Sequence, residues 1–151
     1  MKVRIVKLEP MRVASAHAYS TSPEEEAFDK LVAWAQPKGL TDDLKTHRIF
    51  GFNNPDPSPG SPKYGYEFWM VVGQEVQPEG DIKVNDFAGG LYAVTQVVGV
   101  ENIHSKWKEL VSWLEDSKYK GTHHQWLEEH LSAVDAKPEE MVLDLYAPIA
   151  G

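Results

Sequence analysis

The chain has 151 residues, 42% of them hydrophobic, with 15 basic against 23 acidic side chains and no cysteine. That length suits one domain with a proper core, and 5 Trp, 6 Tyr and 5 Phe are too many rings for a disordered chain. Absent cysteine excludes disulfides and thiolate chemistry, while a formal charge of −8 argues against direct nucleic acid binding and mildly favours cationic ligands.

Taken in order, residues 3–19 alternate as a strand, broken at Glu9-Pro10. Their opening is not the apolar run of a signal peptide, and no later apolar stretch reaches the length of a membrane-spanning helix. The expectation is a cytoplasmic protein. Thr21-Ser22-Pro23-Glu24-Glu25 starts a helix: a hydroxyl cap, proline in the first turn and acids at the positive helix end. It stops near Pro37-Lys38-Gly39. Residues 48–52 and 64–72 read as strands around a turn-rich loop, Asn53 to Pro62. After a seam at Gln77-Pro78-Glu79-Gly80, residues 82–98 form a strand bent at Ala88-Gly89-Gly90. A helix over 101–119 follows, then strands over 125–133 and 141–149.

A shift of 79 residues brings the halves into step. Phe28, Leu31, Val32, Trp34 and Ala35 fall on Trp107, Leu110, Val111, Trp113 and Leu114, and Leu8, Val13 and Ala14 fall on Phe87, Tyr92 and Ala93. Agreement running from strand into helix at one offset indicates duplication. The predicted fold is α+β, one domain over 1–151 with repeats at about 2–72 and 81–150. Each repeat is a strand-helix-strand-strand unit. Together they form a joined antiparallel sheet with two helices on one face and a ligand groove on the other. Phe28, Leu31, Val32, Trp107, Leu110, Val111 and Leu114 are the expected buried helix positions.

Two segments stand out chemically. In Gln125-Trp126-Leu127-Glu128-Glu129-His130-Leu131, Leu127 and Leu131 suit the helix-packed core, which turns Trp126, Glu128 and His130 toward the groove. Glu129 is then awkward and needs a sheet edge or a bulge. An acid beside a ring in a groove suits an organic cation. In Tyr64-Gly65-Tyr66-Glu67-Phe68-Trp69, alternation puts Tyr66 and Phe68 on one face and Glu67 and Trp69 on the other, with a large ring on both. Gly65 leaves room for a close approach. The six histidines have no metal-ligand spacing, so no metal or other cofactor is expected.

These segments, with Leu8-Glu9-Pro10, Gly51-Phe52-Asn53-Asn54-Pro55-Asp56, Gly89-Gly90-Leu91-Tyr92-Ala93-Val94, Trp107, Leu127-Glu128 and Ala147-Pro148-Ile149, give the sequence its family likeness. In order and spacing it resembles the GyrI-like effector-binding domain, which serves as the ligand-binding part of AraC-type and MerR-type multidrug regulators in bacteria. The resemblance implies a groove whose glutamate meets cationic drugs, and by motif it nominates Glu128. The family usually has Tyr where this chain has His130, whose protonation would compete with a cationic ligand. The likeness covers essentially the full length, implying a stand-alone sensor without a DNA-binding domain.

The expected ligand is a small hydrophobic or cationic aromatic compound. Glu128, Trp126, His130, Glu67, Tyr66, Phe68, Trp69, Phe52 and Tyr92 are the candidate ligand-binding residues. Two alternatives follow from the resemblance. One is a hydrolase of cyclopropane-containing natural products, using Glu128 or Glu67. The other is a gyrase-inhibitor-like interaction module.

Overall fold

Two long alternating runs each break into a pair of strands, for local reasons. Pro10 supplies no N–H to a ladder, and Gly89 has φ +81°, where a Cβ would stand 2.1 Å from the Leu8 carbonyl oxygen. A computed structural model describes residues 1–151. Its elements are β1 (Arg4–Leu8), β2 (Met11–Ser20), α1 (Pro23–Ala35), β3 (Ile49–Asn53), β4 (Tyr64–Val71), β5 (Lys83–Phe87), β6 (Gly90–Val98), α2 (Ile103–Glu115), β7 (Leu127–His130) and β8 (Val142–Pro148). The fold is α+β with antiparallel strands, as the sequence predicts. No helix is long and apolar enough to cross a membrane.

The chain divides into two compact units: unit 1 comprises Met1–Pro10 with Ala88–Gly151, and unit 2 comprises Met11–Phe87. Strand order is β1-β6-β8-β7 in unit 1 and β3-β4-β2-β5 in unit 2. The leading strand of each sequence repeat thus pairs with the central strand of the other repeat: β1 with β6, and β5 with β2.

In unit 2, α1 lies on β2 and β4. Pro23 opens the helix and Glu24, Glu25 and Glu26 fill its first turn. The expected hydroxyl cap is absent: Ser22 makes no side-chain cap bond, and its N–H donates to Ser20 Oγ at 3.1 Å instead. Ala27, Leu31, Trp34 and Ala35 form the buried stripe at helical spacing, while Phe28 and Val32 are half-buried at its edges.

In unit 1, α2 covers a cluster of Ala93, Val97, Leu143, Leu145, Ala147 and Ile149. Leu110 is the helix's fully buried residue, flanked by half-buried Ile103, Trp107, Trp113 and Leu114. Val111, expected inside, is 37% exposed. The next position along a helix turns about 100° from Leu110, beyond the edge of the packed stripe, which ends about 60° away at Trp107. β7 is also half the expected length, because its pairing with β8 begins at Leu127 and ends at His130.

Candidate functional site

Directly opposed residues of an antiparallel pair share a face, so the register assigns every strand side chain. On β4, Tyr64, Tyr66 and Phe68 lie on the α1 side. Tyr64 Oη donates to the Glu24 carboxylate at 2.6 Å, and the rings of Phe28 and Phe68 meet edge-on at 5.1 Å. Desolvation, then the Glu24 bond, pushes the Tyr64 phenol up to about 12. Tyr66 and Phe68, proposed from sequence as groove residues, are buried on this helix side. Both faces of β4 carry rings, so alternation alone does not fix which of them meets α1.

Glu67 and Trp69 therefore share the face of unit 2 that α1 does not cover, opposite His17 and Ser15 of β2 and Phe52 and Phe50 of β3. Here a network assembles. Ser15 Oγ and Trp69 Nε1–H each donate to Glu67 Oε2 at 2.7 Å, and Asn54 Nδ2 donates to Oε1 at 3.0 Å. The Asn54 carbonyl in turn lies 2.6 Å from His17 Nε2. Three rings line the same face: Phe52 meets Trp69 at 4.7 Å, and Trp69 meets Phe87 at 5.1 Å. Glu67, Trp69 and Phe87 are all partly exposed, whereas Ser15 is buried. The carboxylate accepts from three neutral donors and makes no direct ion pair, and it lies beside π-faces. That arrangement favours an organic cation, which gains cation–π attraction and a counter-charge together.

Gly65 fixes the loop that delivers Asn54. A Cβ there would stand 1.7 Å from the Asn54 carbonyl oxygen, so the close approach inferred for this glycine is made by backbone. Asn54 N–H donates to the Gly65 carbonyl at 2.8 Å, and Gly65 N–H to the Pro55 carbonyl at 3.0 Å.

In unit 1 the face assignment of β7 is the reverse of the expected one. Glu128 and His130 oppose Leu145 and Leu143 on the α2 side, and Glu128 Oε2 accepts Trp107 Nε1–H at 2.7 Å. Trp126, 42% exposed, meets the Trp107 ring at 5.6 Å. Leu127 and Glu129 lie on the other face, opposite Tyr146 and Asp144, and no bulge is needed. Tyr146 Oη donates to buried Glu129 at 2.6 Å, and Arg4 pairs with Asp144 at 2.5 Å.

Tyr92 shares this face. It is fully buried, meets Tyr146 edge-on at 5.5 Å and donates to the Gln125 carbonyl at 2.7 Å. Burial pushes its phenol up. His130 is held down to about 4 by desolvation, against the opposing pull of Glu129. At neutral pH the imidazole is therefore neutral.

Sequence reasoning missed Ser15, Asn54 and Phe87. Ser15 carried a signal, being the one hydroxyl in Val13-Ala14-Ser15-Ala16. Phe87 carried none, because its place depends on β5 pairing with β2.

This fold has solved counterparts. EcmrR, in its complex with DNA, is 14% identical with a TM-score of 0.73 over 98% of this chain and 57% of that one, so the present chain spans little more than half of EcmrR. A hydrolase from Listeria innocua is 14% identical, with a TM-score of 0.70 over 99% and 92% of the two chains. SAV2435 bound to tetraphenylphosphonium is 15% identical, with a TM-score of 0.60 over 100% and 95%. No curated protein matches the chain. At this level of identity the likeness shows the fold alone. Residues 4–149 match the Cass2 model, integron-associated effector binding protein, and the chain belongs to that family.

Proposed function

We propose that this effector-binding chain takes a hydrophobic organic cation with aromatic groups, and that Glu67 is its counter-charge. One observation carries the reading: a partly exposed carboxylate held by Ser15, Trp69 and Asn54, all neutral donors, among the rings of Phe52, Trp69 and Phe87. Membership of an effector-binding family supports it, as does a similarly folded protein solved with tetraphenylphosphonium. Glu128, the first choice from sequence, is the weaker candidate because its carboxylate is turned to α2 and engaged by Trp107.

The test is calorimetric titration of tetraphenylphosphonium and of neutral triphenylphosphine oxide into wild type, Glu67→Gln and Glu128→Gln. Loss of a buried counter-charge typically costs ~2–5 kcal/mol. Glu67→Gln should weaken the cation by about tenfold or more and the neutral compound little, with Glu128→Gln near wild type. Equal loss for both ligands in Glu67→Gln would make Glu67 a structural residue.

A further inference from the structure

Charge and hydrogen-bonding capacity are separated at Glu67. A carboxylate offers about four lone-pair positions. Ser15 and Trp69 both use Oε2, and Asn54 uses one position on Oε1. One position is left, and the carboxylate makes no direct ion pair, although Lys83 opposite Ser15 and His17 opposite Glu67 share its face.

We infer, resting on the cation-binding reading of this site, that it selects cations without N–H groups, quaternary ammonium or phosphonium, over protonated amines. Ser15 and Asn54 set that preference. A primary ammonium brings three N–H donors that must give up water on entering, and Glu67 has one place to receive them. Unmet donors are costly out of water, whereas a quaternary centre has none to satisfy and loses nothing to the occupied carboxylate. Its methyl or aryl groups rest on the rings of Phe52, Trp69 and Phe87, where the cation–π term needs no hydrogen bond.

Ser15 is well placed to control this. It is buried on a central strand directly opposite Trp69, so its hydroxyl is an inbuilt donor that bulk water does not readily replace. Asn54 acts from the loop base that Gly65 locks. Both are positioning residues: each acts on the ligand through Glu67.

The experiment titrates two probes sharing one ring system, (1-naphthylmethyl)trimethylammonium and 1-naphthylmethylammonium, at neutral pH. Wild type should prefer the trimethyl probe by about tenfold or more, the least that two unmet donors would cost. Ser15→Ala and Asn54→Ala each return a lone pair to the carboxylate and should shrink that ratio by about threefold or more. Ser15→Thr keeps the hydroxyl and should restore it. Trp69→Phe, which keeps a ring but removes the indole N–H, should move the ratio in the same direction as Ser15→Ala.

A structural loss alone would lower both affinities and leave their ratio fixed. If Glu67→Gln weakens both probes while Ser15→Ala leaves the ratio within about twofold of wild type, donor saturation does not set specificity and the inference fails. If Glu67→Gln changes neither probe, the cation-binding reading of this site fails and the inference falls with it.

Discussion

Replacing Gly65 by alanine tests the local geometry on which the Glu67 network depends. The added methyl would stand 1.7 Å from the Asn54 carbonyl oxygen, 2.4 Å from its carbon and 2.6 Å from Pro55 Cδ. All three belong to the chain's framework, not to a flexible side-chain end. Ordinary contact lies at ~3.5–4 Å, so residues 54 and 55 must withdraw by well over an ångström. Neither the Asn54–Gly65 bond at 2.8 Å nor the Gly65–Pro55 bond at 3.0 Å survives such a shift. Two lost hydrogen bonds contribute about 2 kcal/mol, and residual overpacking adds about 1–3 kcal/mol.

A total of about 3–5 kcal/mol corresponds, for a chain of this size, to a fall of roughly 6–20 °C in Tm. Urea denaturation gives the free energy, and the same samples titrated with tetraphenylphosphonium report whether Asn54 still reaches Glu67. A Gly65→Ala protein within about 0.5 kcal/mol of wild type would refute the reasoning, because no relaxed loop could then be as tight as described.

The other predictions concern the core and acid stability. Leu110→Ala, at a fully buried position, should cost about 2–5 kcal/mol in urea unfolding; Val111→Ala, one residue on and 37% exposed, should cost less than about 1 kcal/mol. His130 titrates near 4 when folded against an ordinary 6.5. Between these values the unfolded chain holds a proton that the folded chain does not. Its contribution is therefore fully present above pH ~6.5 and is lost as pH falls toward ~4, by at most about 3 kcal/mol. His130→Gln should flatten that part of the stability–pH curve, and an unchanged slope would contradict the burial of the imidazole.

Much of the architecture was legible because two periodicities do not imitate one another. Val13 to Ala18 alternates on a strand, while Ala27, Leu31, Trp34 and Ala35 recur on a helix. Which face of a strand meets the helix was legible only where one face is polar. β7 is the instructive failure. Leu127 looks like a residue for the helix side, yet the opposite face offers Tyr146, and Leu145 and Leu143 already fill the helix side beside Glu128 and His130. When both sheet faces are apolar, alternation gives the period without the phase. At Glu67 the acid and its neighbouring Trp69 were visible, but their donors come from residues 52 and 13 positions away, Ser15 and Asn54. Strand register and a loop closure bring them in, and neither leaves a local mark.

The pairing of β1 with β6 and of β5 with β2 bears on where the chain can be cut. The 79-residue offset read from the sequence carries Arg4–Leu8 onto Lys83–Phe87, and each of these strands pairs with a strand from the opposite half of the chain. The border set by the sequence offset and the border of the compact unit therefore differ by one strand. A fragment cut at residues 2–72 would discard the strand that seals its own sheet, whereas one cut at residues 11–87 would retain it.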